Sequence, residues 1–312
     1  MNYDQAKVHV NSPRPLSQNI TETYILFIGI QSHFANVKRR EVIRKTWLQF
    51  CSNDIGCHYN FFLDGLDINN KKVPKEVFVQ YMNESKNNNY DIAVIDTPPG
   101  RNFAVRTYKS IHYVMEHMKV KYYLRLDDDQ YLCVQRLIYE LKHRPVEWLF
   151  SGYTHCGPAR IDEGYQLFSY NLLQVFYKKS DLVCTEFGTD CVSSWVYDVM
   201  DTQNVTWFTE NKRIHQHQAS LDTALQKRKE LCQTYISLHG TYEKEMQIFH
   251  DIVLKEEFHD YDIPRPYHVC PDHRRVNLLV ELKSAKDQMP CGAKPVFKKD
   301  LKGWVGRQRR PL

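Results

Sequence analysis

The sequence predicts an α/β fold with a mainly parallel central sheet and helices on both faces. Three observations carry that expectation. Strand-like and helix-like segments alternate four times within roughly 120 residues, the pattern of strand–helix–strand units. The first strand candidate, YILFIGI (24–30), is an unbroken apolar run, as in strands buried on both faces. The candidate strand ends carry Gly29, Asp64, Asp96 and Asp127 to Asp129, and ligands bind beyond the carboxyl ends of such strands.

Residues 1–22 read as a flexible lead or stem, with Asn-Ser-Pro-Arg-Pro inside it. After strand 24–30, KRREVIRKTWLQF (38–50) reads as a helix with Val42, Ile43 and Trp47 at helical spacing, Trp47 being core packing. HYNFFLDG (58–65) and YDIAVID (90–96) are strands, the second closed by Thr97-Pro98-Pro99-Gly100. Residues 103–118 form a helix with Ile111, Val114, Met115 and Met118 on one stripe. KYYLRLDDD (121–129) is a strand running into acids, and 131–142 reads as a helix. Residues 145–194 read as loop-rich, 219–231 as a helix, 234–239 as a strand and 241–257 as a helix. The expected division is a catalytic domain over 23–260 and an irregular extension with a basic tail over 261–312.

Hydrophobic residues make up 42% of the 312 residues and charged residues 25%, which excludes overall disorder. With only 12 glycines, a Gly-rich dinucleotide binder is disfavoured. The net charge of +5 equals that of the tail alone, where Lys298, Lys299, Lys302, Arg307, Arg309 and Arg310 face only Asp300. The body is therefore neutral, and nucleic acid is not an expected partner. None of the nine cysteines forms a C-x-x-C pair, against a zinc ribbon or thioredoxin-type site. Their number suits a lumenal chain with several disulfides and one spare thiol, and sequons begin at Asn19, Asn83 and Asn204. No signal or anchor is visible, so a membrane would be reached only through a segment outside this sequence; a complete chain would be cytoplasmic.

The strongest chemical signal is Asp127-Asp128-Asp129. In a strand, Asp127 and Asp129 point to one side, and paired carboxylates hold a hard divalent cation such as Mg²⁺ or Mn²⁺, whose remaining positions take water and phosphate oxygens. A solvated acidic turn or helix cap would also explain three acids, but their place at the end of a hydrophobic strand favours a site. A phosphatase of the aspartyl-nucleophile type would want its nucleophile on the first strand, which is not seen here.

Several segments, in order, resemble motifs of the β-1,3-galactosyltransferase family (glycosyltransferase family 31, related to the β-1,3-N-acetylglucosaminyltransferases and Fringe). Arg39-Arg40-Glu41-Val42-Ile43-Arg44-Lys45-Thr46-Trp47 resembles R-R-x-x-I-R-x-T-W, and Phe61 to Gly65 resembles the F-x-x-G strand end. Glu84 through Tyr90-Asp91-Ile92 to Asp96 resembles E-x-x-x-Y-x-D-I-x-x-x-D, and Asn102 to Thr107 resembles N-L-T-x-K-T. Tyr123 to Asp129 resembles Y-x-x-K-x-D-D-D, while Tyr235 to His239 with Glu245-Met246 resembles a late strand–His–helix element. The resemblance covers roughly residues 24–257 and implies a GT-A glycosyltransferase fold. It also implies inverting transfer of galactose or N-acetylglucosamine from a UDP-sugar to a glycan on glycoprotein or glycolipid, in β-1,3 linkage, with Mn²⁺, usually in the Golgi lumen.

Carried over by residue, the resemblance implies that Asp129 ligates Mn²⁺, that Asp127 and Asp128 hold the ribose and a metal-bound water, and that His239 is the distant ligand. It places Arg44, Asp96 and Arg106 at the nucleotide, Arg106 standing where the family carries Lys. Two departures follow. The small-residue stretch G-x-G-Y-x-x-S corresponds to Gly188–Ser194 without its glycines. The acidic motif whose acid serves as general base falls on His217-Gln218 when Leu225-Gln226-Lys227 is aligned to the family's helix. An inverting transfer needs a base, so His217 is a candidate, with Asp222 or Glu210 the alternatives. A chain with no base would be a diverged nucleotide-sugar or glycan binder.

Overall fold

The computed structural model describes residues 23–257, except 68, 70, 101–102, 145–146, 156–159 and 180–187; for 188–191 it describes the backbone alone. The expected lead and basic extension lie outside these residues. So do Cys156, Cys184, Cys270 and Cys291.

The strands are β1 (Tyr24–Gln31), β2 (Cys57–Asp64), β3 (Ile92–Ile95), β4 (Val120–Asp127), β5 (Gln130–Leu132), β6 (Leu149–His155), β7 (Arg160–Ser169), β8 (Thr206–Thr209), β9 (Ile214–His215) and β10 (Ser237–His239). The helices are α1 (Val37–Lys45), α2 (Lys75–Asn87), α3 (Phe103–His117), α4 (Val134–His143), α5 (Tyr170–Lys178), α6 (Gly188–Met200) and α7 (Glu243–Val253). A seven-stranded sheet runs β3-β2-β1-β4-β7-β6-β8 and a three-stranded one β5-β10-β9. The pairs β3–β2, β2–β1, β1–β4 and β6–β8 are parallel, and β7 runs antiparallel to both its neighbours. The predicted α/β architecture is therefore present, with one antiparallel insertion.

Each face of the large sheet has its own core. On one, Leu26, Ile28 and Leu124 pack with Ile43, Trp47, Leu137 and Met246 from the α1, α4 and α7 side. On the other, Phe27, Phe62 and Tyr123 pack with Ile111, Leu172 and Trp195 from α3, α5 and α6. Trp47 is fully buried, as expected of a core residue. Strand side chains alternate between the two layers, so β1 and β4 read as continuous apolar runs rather than as alternating patterns.

Three expectations are corrected. Residues 145–194 are not loop-rich: they hold β6, β7, α5 and the start of α6. The helix expected over 131–142 is preceded by β5, which pairs with β10. The helix expected over 219–231 is reduced to two 3₁₀ turns, 219–221 and 225–227. The Asp222 carboxylate accepts the Ala224 and Leu225 N–H groups (2.9 and 3.3 Å), a local bond that competes with helix propagation.

Two disulfides join described residues: Cys51–Cys57 across the approach to β2, and Cys133–Cys232, which ties the start of α4 to the segment before β10.

Candidate active site

The parallel strands β1, β2 and β4 end at Gln31, Asp64 and Asp127, and the in-register pair Gln31–Asp127 marks the rim. The chain turns at Asp128-Asp129 and enters β5, whose Gln130 pairs with His239 at the end of β10. Register alone thus brings the acid triplet and the distant histidine together. Asp129 Oδ2 lies 3.7 Å from His239 Nε2. The Asp129 carbonyl accepts the Thr241 N–H (2.8 Å), which fixes the turn against the residues following β10. His239 Nδ1 is hydrogen-bonded to the Gln216 carbonyl (2.9 Å), so Nδ1 is the protonated nitrogen and Nε2 faces the carboxylate.

The three aspartates do different things. Asp128 is buried and accepts bonds from Ser32 Oγ (2.6 Å), Asn36 Nδ2 (2.9 Å) and Arg39 Nη1 (3.0 Å). It locks the loop after β1 to the turn after β4. Asp127 is half-buried and forms an ion pair with Arg125 Nη1 at 2.7 Å. Burial pushes the Asp127 carboxyl above the usual range, and Arg125 opposes that rise incompletely. Burial also raises Asp129, against the pull of His239. For His239, burial is the largest influence and would lower the imidazole, but Asp129, the Gln216 carbonyl, Asp162 and Asp127 together outweigh it and the net shift is upward.

The remaining predicted residues are scattered. Arg106, on α3, is 2% exposed; Nε and Nη2 donate to the two oxygens of Asp64 (2.8 and 2.9 Å), and Nη1 donates to the Gly100 carbonyl. Arg44 donates to Asp91 (2.7 and 3.0 Å) and Glu84 (3.0 Å), and stacks over Phe61. Asp96 pairs with Lys72 at the surface. His217 is exposed, and its carbonyl accepts from His215 Nδ1. Asp222 caps a 3₁₀ turn and lies 3.4 Å from His215 Nε2; desolvation tends to raise its carboxyl, but the Ala224 and Leu225 N–H groups and His215 together bring it below the usual range. Glu210 is buried in ion pairs with Arg213 and Arg144 and accepts from Ser151 Oγ (3.3 Å), which leaves it no route to an acceptor. Ser193, in the stretch compared with the small-residue motif, sits in α6 and accepts the Ile161 N–H (3.0 Å), bracing β7.

Sequence reading missed the clamp on Asp128. Arg39 was visible as the first of two adjacent arginines, but nothing local ties it to Asp128, 89 residues away. It also missed His155 and Asp162 on the β6–β7 hairpin, which bond at 2.8 Å.

The galactosyltransferase family model matches residues 38–197, half of the chain. No curated protein sequence matches the chain. Three solved structures resemble it at low identity. One is a glycosyltransferase involved in the glycosylation of the major capsid of PBCV-1 (9% identity, 73% of this chain and 99% of that one, TM-score 0.42). The second is the galactosyltransferase LgtC in complex with donor and acceptor sugar analogs (13%, 68% and 86%, 0.37). The third is apo-form glycosyltransferase GlyE of Streptococcus pneumoniae TIGR4 (14%, 87% and 66%, 0.36). The family match shows that the chain belongs to the galactosyltransferase family and is a glycosyltransferase, here built on an α/β fold with its acids at the end of β4.

Proposed function

We propose that this glycosyltransferase moves galactose, or N-acetylglucosamine, from a UDP-sugar to a glycan hydroxyl in β-1,3 linkage, with inversion and with Mn²⁺. The observation that supports the donor chemistry best is the approach of Asp129 Oδ2 to His239 Nε2 at the carboxyl end of the parallel strands. Among the described residues, no three His, Cys, Asp or Glu side chains form a closed metal cage. One carboxylate and one neutral imidazole fit an open site instead, in which diphosphate oxygens and water complete the coordination. When bound, the ion offsets the charge on the departing diphosphate.

The chain's own residues supply the rest. The Gln216 carbonyl keeps His239 in the ligating tautomer. Asp128, held by three donors, aims the turn and does not itself need to touch the ligand. Asp127 uses one oxygen on Arg125 and keeps the other for a ribose hydroxyl or a bound water. Arg106 and Arg44 act through the strand ends they pin, and Asp96, at the surface beside Lys72, makes the direct nucleotide contact in this reading.

The two disulfides suit an oxidising lumen, and the sequon residues Asn83 and Asn204 are exposed, so we place the protein in the Golgi lumen. No helix among the described residues is long and apolar enough to cross a membrane. A second reading, a donor binder without turnover, is favoured by one observation: Glu210 and Asp222 are committed to internal contacts.

Calorimetric titration of UDP and UDP-sugars with and without Mn²⁺, followed by an assay of UDP release with simple glycan acceptors, tests both readings. Mn²⁺-dependent binding with acceptor-stimulated release is the expected result. Binding without release under any acceptor would select the second reading, and absence of binding would refute both.

A further inference from the structure

An inverting transfer needs a base beside the acceptor hydroxyl, and the candidates drawn from the sequence serve poorly. Glu210 is buried among arginines, Asp222 is occupied by backbone N–H groups, and no acid touches His217 among the described residues. The β6–β7 hairpin carries a better-organised pair. His155 Nε2 lies 2.8 Å from Asp162 Oδ2, and Asp162 Oδ1 accepts the Gly164 N–H at 2.8 Å. Both carboxylate oxygens are thus held, and the carboxylate is 14% exposed while the imidazole is 29% exposed. The Tyr153 ring meets the imidazole edge-on at 5.1 Å. Among the described residues Nδ1 of His155 has no partner. An imidazole fixed at one nitrogen by a held carboxylate, with the other nitrogen open, is the arrangement that takes a proton from a hydroxyl.

The pair also stands beside the donor-site residues. Gly164 packs against Gln130, the residue after Asp129: a Cβ at Gly164 would lie 2.5 Å from Gln130 Nε2 and 3.0 Å from Asp162 Oδ1. Gln130 is the register partner of His239. Glycine at 164 therefore lets the strand bearing Asp162 close onto the turn bearing Asp129. Asp162 and His239 are near enough to feel each other's charge.

We propose that His155, oriented by Asp162, is the general base of this transferase. The inference rests on the transferase reading above. The acceptor hydroxyl loses its proton to His155 Nδ1 as its oxygen forms the bond to the anomeric carbon. The bond from that carbon to the diphosphate oxygen breaks, and its electron pair leaves with UDP. Asp162 stays ionised and faces the imidazolium.

The test measures Mn²⁺–UDP binding and acceptor-stimulated UDP release side by side for the wild type, His155→Ala, His155→Gln and Asp162→Asn. Expected for His155→Ala is UDP affinity within about twofold of wild type, UDP release reduced by ~10²–10⁴-fold, and partial recovery on adding free imidazole. His155→Gln can keep a bond to Asp162 and guards against a folding artefact; it is expected to bind UDP normally and to turn over as poorly. Release by both His155 variants within threefold of wild type would overturn the proposal, as would parallel losses of binding and release. A wild type that binds Mn²⁺–UDP but releases none to acceptor or water would overturn the base and leave the donor site standing. A wild type that does not bind would overturn the transferase reading itself.

Discussion

Removing the Cys133–Cys232 bridge is expected to be the more damaging of the two possible disulfide deletions. Its cysteines are 99 residues apart in sequence, against 6 for Cys51–Cys57. If a cross-link acts by restricting the unfolded chain, the longer loop contributes about 4.7 kcal/mol and the shorter about 2.2 kcal/mol. The folded surroundings support this assignment to the unfolded state, because hydrogen bonds also hold both ends of the bridge in place. The Cys133 N–H donates to the Ile236 carbonyl (2.9 Å), Arg136 Nη1 to the Cys232 carbonyl (2.9 Å), and the Cys232 N–H to Glu256 (3.0 Å). Native geometry should therefore survive in Cys133→Ala/Cys232→Ala. The assay is guanidinium unfolding of this double variant and of Cys51→Ala/Cys57→Ala, without reductant. A loss of about 4–5 kcal/mol is expected for the long loop, equivalent to ~10–20 °C in Tm for a domain of this size. A loss under about 1 kcal/mol, or a larger loss from the short loop, would refute the reasoning. The bridge also joins the two segments that deliver Asp129 and His239, so its strength bears on how firmly the site is assembled.

Asp129→Asn and His239→Ala should each abolish the Mn²⁺-dependence of UDP binding in calorimetry while leaving Tm within a few degrees; unchanged binding would remove the proposed ligand pair. Mn²⁺ affinity should rise with pH. The His239 imidazole is raised above its ordinary 6.5, so its proton-linked stabilisation is complete below 6.5 and is lost as pH climbs through the raised value, just where the neutral ligand appears. Titrations from pH 6 to 8 should show affinity rising by about tenfold per unit at first and then levelling, and a flat profile would count against His239 as ligand. Arg106→Met leaves Asp64 buried without its cation and should cost ~3–5 kcal/mol in chemical unfolding; a cost near zero would mean that the pair is solvated. Trp47→Ala, in the core under α1, should cost ~3–5 kcal/mol with little effect on UDP affinity per folded molecule.

What was legible in the sequence depended on how local the signal was. The apolar runs of β1, β2 and β4 and the stripe of α3 announce themselves, because burial on both faces or on one helix face dictates residue type directly. Helix α2 went unread because only Tyr81 and Ser85 of its thirteen residues are buried, which leaves almost no stripe. Strands β6 and β7 fall in the segment read as loop-rich, and each carries a glycine inside it, Gly152 and Gly164. In the fold, Gly164 is where β7 closes onto Gln130, and Gly152 precedes a register shift between the two strands.

By itself, the sequence determined the α/β class, the parallel half-sheet, the acids at the end of β4 and His239 as their distant companion, since strand ends and motif order are written in consecutive residues. Only the tertiary structure decided what each charge does. Asp128 and Arg39 meet across 89 residues, Arg106 and Asp64 across 42, and Asp129 and His239 across the β5–β10 pairing. A buried charge must find its partner wherever the packed chain provides one, and that partner is set by sheet register and helix docking rather than by neighbours in sequence. The same packing committed Glu210 and Asp222 to internal bonds and brought His155 onto Asp162.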